Sequence, residues 1–511
     1  MGTDAMRLGG AARVLAAAMV VLQTSTLSNA SAAWATEPPS VDPAMVPSDG
    51  TPGPDQAMRQ SNVCARTIAI AEPNIGMPAP GFAMLNVSRA WQHSTGHGVT
   101  VAIIDTGVNP SPRLPVLPGG DYITGGDGLT DCDAHGTIVA SVISAAPQGV
   151  PMPPPMPPRP AFPRPDSAED ASGPPTAVGD QSGRDVPEGP LPPAEAPDGV
   201  AGVAPHATVI SIRQSSRAYE PEDPGVGDIE ARRKAGTVAT LARAIVHAAN
   251  LGAKVINVSV TACVSAADPL DQRSIGAAVW YAARVKDAVI VAAAGNEGED
   301  GCARNPVFDP LDPDDPRDWS HVKTVSSPSW FSDYVLSVGA VETTGAPLTK
   351  SLAGPWVGVA APGVEIVGLS PETGGPVNAY PPVRAGERAV PFWGTSFSAA
   401  YVSGVAALVR AKYPELSAHQ VTNRILQTAH NPPRGVDNQV GYGVVDPVAA
   451  LTFDVPPGDR VASESQTRVL TPPPAQRPPD HRARTFAVVF AIGVVALILL
   501  NGLVARSRRA R

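Results

Sequence analysis

Residues 99–107 read Val99-Thr-Val-Ala-Ile-Ile-Asp105-Thr-Gly107, a run of β-branched and small apolar residues that closes on a carboxylate and a glycine. A nearly continuous apolar run of this length is how a strand buried on both faces is written, as in a parallel sheet covered by helices. Acids at the carboxyl ends of such strands lie on the rim where open α/β sheets place their sites. The pattern recurs along the chain. Strands are expected over Val99–Ile104, Thr208–Arg213, Lys254–Val260, Ala288–Ala293 and Val335–Val341. Helices are expected over Thr237–Asn250, Arg273–Lys286, Ser396–Lys412 and Ser417–Gln427, with a short one over Leu85–Gln92 that Gly96 and Gly98 close. The alternation predicts one α/β domain over residues 84–455, with a mostly parallel central sheet flanked by helices.

Asp105 alone decides no chemistry. An Asp-Thr-Gly after an apolar run also marks aspartic peptidases, but these need a second such carboxylate to share a proton, and the sequence contains no second Asp-Thr-Gly. Downstream, His135-Gly136-Thr137 opens the helical run Ile138–Ile143, which stands the imidazole at a helix start beside a residue that permits close approach of chain. Further on, Gly394-Thr395-Ser396-Phe397-Ser398 sets a serine at the head of the apolar helix Ala399–Val409. A hydroxyl is a weak nucleophile and needs an adjacent base. The chain order Asp, His, Ser is that of subtilisin, and differs from that of chymotrypsin and the α/β-hydrolases.

The two ends set the compartment. Arg7 and Arg13 precede the apolar run Val14–Leu22, and Ala30-Ser31-Ala32 and Ala33-Trp34-Ala35 offer cleavage sites, so residues 1–35 read as a secretory leader. Thr485–Val504 gives an apolar stretch long enough to cross a bilayer, and Arg506, Arg508, Arg509 and Arg511 follow it. That asymmetry predicts a single-pass membrane helix over 485–504 with a cytoplasmic tail over 505–511 and the rest of the mature chain outside. Four cysteines, Cys64, Cys132, Cys263 and Cys302, fit an oxidising compartment and allow three pairings. A formal charge of -9 with no basic cluster in the exported region excludes nucleic acid as a partner. Residues 36–83 read as an extension without a core of its own, 148–198 as a Pro-rich inserted loop, and 456–484 as a Pro-rich spacer.

On the segments around Asp105, His135 and Ser396 the chain resembles the subtilase family over roughly residues 85–452. Its leader, cysteine-bearing extension, insertion and C-terminal helix resemble, more narrowly, the mycosins, the membrane-anchored subtilases of mycobacterial type VII secretion systems. The resemblance implies a serine endopeptidase acting on protein or peptide substrates, with Ser396 as nucleophile, His135 as base and Asp105 as its orienting partner. It implies that Asn296, in Ala292-Ala-Ala-Gly-Asn-Glu-Gly298, donates to the oxyanion. It also implies that substrate lies extended between backbone near Ser211 and the S1 wall Asn257–Ala262. Two departures stand out: Thr261-Ala262 replace the glycine pair common in that wall, and Ala400-Tyr401 stand where Pro-His is frequent. By resemblance Cys64 pairs with Cys132 and Cys263 with Cys302; closing the second loop contributes about 4 kcal/mol in the chain-entropy model. No cofactor is expected, and no calcium ligand set is evident from spacing. The implied partner is a type VII secretion membrane complex, with a purely structural role in it as the alternative to proteolysis.

Overall fold

The computed structural model describes residues 38–149, 198–223, 235–267, 271–299, 301–307, 317–384, 386–433 and 435–462, with a few isolated positions besides. The expected leader, nearly all of the Pro-rich insertion, most of the spacer and the span 485–504 apart from Gly502 lie outside the described residues. Among the described residues no helix is long and apolar enough to cross a membrane. The chain divides into units 1–466 and 467–511, and nearly all described residues belong to the first.

Seven strands form the central sheet: β1 (Thr100–Asp105), β2 (Val116–Asp121), β3 (Thr208–Arg213), β4 (Val255–Val258), β5 (Val289–Ala293), β6 (Val335–Val341) and β7 (Val357–Pro362). Their spatial order is β7-β6-β5-β4-β1-β3-β2, and every neighbouring pair is parallel. The chain therefore changes direction at β1, with β2 and β3 on one side and β4 to β7 on the other. Such a reversal opens a crevice at the carboxyl ends of the strands, and Asp105 is the last residue of β1.

Alternate residues of each strand face opposite layers. Val101 and Ile103 pack with α1 (His135–Ser144), α4 (Thr395–Lys412) and α5 (Ala418–Thr428), while Ala102 and Ile104 pack with α2 (Val238–Asn250) and α3 (Arg273–Trp280). Every residue of α4 is buried, and Ala, Ser, Gly and Val fill most of its positions, which lets neighbouring elements pack close to its axis. Arg410 and Lys412 close its last turn, where cations complement the helix dipole. Helix starts follow their caps: Thr237 with Thr240 and Ser417 with Gln420 form capping boxes at α2 and α5.

The extension uses the domain's core in place of one of its own. Val41 is buried in the α2/α3 layer. Met58–Gln60 pairs antiparallel with Tyr219–Pro221, Ile68 N–H donates to the Ala379 carbonyl at 2.9 Å, and Asn378 bonds the backbone of Ile70 and Pro73. Cys64 is joined to Cys132 and Cys263 to Cys302. Tyr401, one of the two departures after Ser396, is buried under the helix Pro80–Met84; a Cβ on Gly81 would meet its Oη at 2.7 Å.

A close backbone approach lies between α1 and the end of β1, where a Cβ on Gly136 would stand 2.1 Å from the Gly107 carbonyl oxygen. Gly136→Ala is therefore expected to lower stability by about 3 kcal/mol in thermal or denaturant unfolding, while Gly50→Ala, with open space around it, leaves the transition unmoved. Equal stability of the two variants would show that the contact is not confining.

Candidate active site

β1 delivers Asp105 to the crevice and α1 delivers His135 at its first residue. His135 Nδ1 lies 2.7 Å from Asp105 Oδ1, which also accepts from Thr106 N–H at 2.7 Å. Asp105 is fully buried, whereas the His135 side chain is 27% exposed. Burial pulls the imidazole pKa down, but the charge and hydrogen bond of Asp105, with Asp131 behind it, outweigh this and leave it above its ordinary value.

A second buried carboxylate that the sequence reading did not single out holds this corner together. Asp131 accepts from Thr106 Oγ1 (2.9 Å), Thr137 N–H (2.8 Å), Thr137 Oγ1 (2.7 Å) and Asp133 N–H (3.1 Å). Thr106 Oγ1 in turn accepts from Gly136 N–H at 2.9 Å. Two orphan N–H groups of the first turn of α1 are thus satisfied by side chains from the loop ahead of it and from the residue that follows β1. Burial raises the Asp131 pKa to about 6; the Thr137 bonds work against the rise and the charge of Asp105 adds to it. Its position four residues before His135 was the available signal, but an acid ahead of a helix reads equally well as an ordinary cap.

Ser396 is the second residue of α4, after Gly394 at φ 141° and Thr395. Its Oγ donates to the Ser259 carbonyl at 3.1 Å, so the hydroxyl rests on the end of the β4 segment and not on the imidazole. Asn296 follows β5. Its Oδ1 accepts from Thr395 N–H (3.0 Å) and Thr395 Oγ1 (3.1 Å), which aims Nδ2 at the opening. A Cβ at Gly394 would meet that Nδ2 at 3.2 Å, so glycine serves there for both conformation and space.

His135, Ser396 and Asn296 line one cavity of about 530 Å³, with Thr106 from the end of β1 beside them. Ser259, Val260 and Thr261 form one edge of it and Ser215, Arg217 and Ala218 the other. The second edge lies beyond the expected Ser211, which is buried within β3 with its Oγ on the Gly128 carbonyl at 2.7 Å. Ala262 turns away from the cavity to pair with Ser327 in the antiparallel ribbon Ala262–Ser265/Thr324–Ser327, which the Cys263–Cys302 bond ties to the loop after Asn296. An aromatic wall continues from His135 through Phe397 (ring centroids 5.3 Å apart) to Phe392 (6.3 Å from Phe397) and Tyr380 (4.8 Å from Phe392). Asn62, Val63 and Ala65 of the extension also reach the rim. Among the described residues no cluster of His, Cys, Asp and Glu could hold a metal ion.

Comparison with known proteins agrees with this geometry. The subtilase family model matches residues 96–443. Mycosin-2 of Mycobacterium tuberculosis is 59% identical, with 98% of each chain covered. The crystal structure of MycP1 from the ESX-1 type VII secretion system superposes with a TM-score of 0.70 at 42% identity, covering 84% of this chain and 99% of that one. A chain of the intact ESX-5 inner membrane complex superposes with a TM-score of 0.70 at 48% identity, covering 92% of this chain and 98% of that one. The protein is a subtilisin-like serine peptidase, and it belongs to the mycosins within the subtilase family.

Proposed function

We propose that Ser396 is the nucleophile of an endopeptidase whose base is His135, oriented by Asp105. The observation that carries the reading is the convergence on one cavity of a hydroxyl at a helix start, an imidazole fixed through Nδ1 by a buried carboxylate, and a pinned side-chain amide. With Nδ1–H donated to Asp105, Nε2 is left to accept a proton. Rotation about χ1 moves the Ser396 hydroxyl from the Ser259 carbonyl towards the imidazole, and catalytic hydrogen bonds of this kind tighten when substrate arrives. Oγ then bonds to the peptide carbonyl carbon as its proton passes to Nε2. The carbonyl oxygen takes the electron pair and accepts from Asn296 Nδ2 at the N-terminal end of α4, where the helix dipole also favours negative charge. Return of the proton to the leaving amine breaks the C–N bond, and water repeats the sequence on the acyl-enzyme.

In the cell, the reading places the catalytic domain (84–455) and its extension (36–83) on the extracytoplasmic side after removal of residues 1–35. The spacer 456–484 leads to a single membrane helix at 485–504 and a cytoplasmic tail. Its support is the hydropathy and Arg pattern of the ends, two disulfides suited to an oxidising compartment, and similarity to a chain of the ESX-5 inner membrane complex. Proteins passing through or standing beside a type VII secretion complex are then its substrates. That same similarity spans 98% of a chain seated in an assembled complex, which favours a second role as a structural subunit.

An active-site phosphonate is expected to label the wild-type chain and not Ser396→Ala; label on the alanine variant would refute the nucleophile. Asn296→Ala should slow acylation by about 10²–10³, the scale of a lost oxyanion donor. The labelling rate should fall as pH drops through the titration of His135, with a midpoint above about 6.5 because the Asp105 charge favours the imidazolium. Asp105→Asn removes that charge and should move the midpoint down while slowing the reaction; a midpoint that stays in place would show that Asp105 does not set it. The two cellular roles separate in a deletion strain carrying wild type or Ser396→Ala at matched membrane abundance. Export restored by the alanine variant makes the indispensable role structural, and export absent with it makes cleavage itself the requirement.

A further inference from the structure

Arg217, in the loop after β3, and Glu299, three residues beyond Asn296, face each other across the cavity that holds Ser396. Arg217 Nη2 lies 3.7 Å from Glu299 Oε2, and the same oxygen accepts a 3.2 Å hydrogen bond from Asn296 Nδ2. The amide read above as the oxyanion donor is therefore held by a carboxylate oxygen, a group with the charge and acceptor character of the oxyanion itself. Thr395 fixes Oδ1 of Asn296, so Nδ2 keeps its place: Glu299 takes one of its two N–H donors, and the carboxylate charge stands beside the one left for an oxyanion. A substrate strand entering between Ser215–Ala218 and Ser259–Thr261 also meets the Arg217–Glu299 pair lying across its path.

The pair is built to open. The Arg217 side chain is 78% exposed and that of Glu299 37%, and exposed ion pairs are worth about 1 kcal/mol or less. The sign of the substrate's charge decides what opening achieves. An acidic substrate side chain would draw off Arg217 and leave Glu299 on the amide without its countercharge, where it repels a developing oxyanion. A basic side chain takes Glu299 itself and frees Asn296. Asp133 stands on the same rim, engaged by Ser216 Oγ at 2.5 Å and Arg217 N–H at 2.7 Å, and adds negative potential there.

We propose that Glu299 is a specificity-determining residue: it selects peptides with a lysine or arginine on the acyl side of the scissile bond, because that cation draws its carboxylate off Asn296. This deepens, and rests on, the reading of Ser396 and Asn296 given above. The test uses the full chain in detergent and pairs of peptidyl phosphonates that are identical except for lysine or norleucine at the first, second or third acyl-side residue. At one of these positions the lysine probe should label wild-type Ser396 faster on the order of tenfold, the factor that corresponds to about 1.4 kcal/mol of barrier. Glu299→Ala should accelerate the norleucine probe and remove the difference; Glu299→Gln, which keeps the shape and drops the charge, should do the same in part. Equal labelling of both probes at every position in the wild type, or a lysine preference that survives in Glu299→Ala, overturns the proposal while leaving the nucleophile intact. Absence of Ser396 label in the wild type and in both variants, with every probe, overturns the nucleophile reading and this proposal with it.

Discussion

The backbone of α1 meets the backbone that leaves β1 with no side chain between them, and the geometry of the cavity follows from that contact. Gly136 passes beside the Gly107 carbonyl, and Ala134, at φ 63°, turns the chain into the helix in a conformation L-residues rarely adopt. A left-handed alanine costs about 1–2 kcal/mol, and the hydrogen bonds around Asp131 offset it. Thr106, Asp131, Thr137 and Asn109 form a closed circuit: Thr137 Oγ1 accepts from Asn109 N–H at 3.1 Å, and Asn109 Oδ1 accepts from Asp131 N–H at 2.7 Å. The circuit spans the end of β1, the loop ahead of α1 and its first turn. His135 inherits its position from this network and not from its own contacts alone.

The rest of the fold brings the other groups to the same point. β4, next to β1, and β5 beyond it lead to Ser259 and Asn296, and α4 crosses beneath them with its first turn against both. A helix so completely buried must be narrow: a Cβ on Gly404 would meet Val203 at 2.5 Å. The disulfides act at the periphery of the same region. Cys132 lies three residues before His135 and adjoins Asp131, so the bond to Cys64 anchors the extension on the loop that positions the imidazole. Cys302 joins the loop carrying Glu299 to the ribbon beyond the Ser259–Thr261 edge, which limits how far the two can separate.

Strands buried on both faces were legible because apolar, mostly β-branched residues dominate them: β1, β3, β5 and β6 stand within a residue of their expected limits. The edge strands were not. β2 contains Pro118-Gly119-Gly120 and β7 ends in Pro362, residues that argue against a central strand and are tolerated at an edge. The helix expected over Leu85–Gln92 is confined to Val87–Ala90, separated at Asn86 (φ 51°) from an unexpected one over Pro80–Met84, and the one over Arg273–Lys286 becomes a π-turn after Trp280. His135, Asn296 and Ser396, which line the cavity, and Asp105, buried behind His135, could be singled out because each sits in a short stretch whose residue types are individually constrained. Asp131, Arg217 and Glu299 were not, since a carboxylate or a guanidinium acquires its role there from what it touches across the fold. Periodicity does not record such contacts.

Asp105 departs from the rule that buried polar atoms find partners. Its Oδ1 receives two hydrogen bonds, yet its Oδ2 is buried with no protein donor among the described residues. A buried carboxylate with no protein donor on one oxygen is costly in the resting protein. Protonation of the imidazole beside it supplies the missing countercharge, so the environment is better matched to the His135 imidazolium than to the neutral ring, in the direction of its raised pKa. In the proposed reaction the imidazolium exists only while the proton is in transit between Ser396 and the leaving amine. An interaction that strengthens as that charge develops lowers the barrier, whereas one equally strong before and during transfer would not. The unpartnered oxygen is thus a resting-state cost that the charged state relieves, and it lies on the one group whose contact with His135 the whole α1–β1 junction is built to maintain.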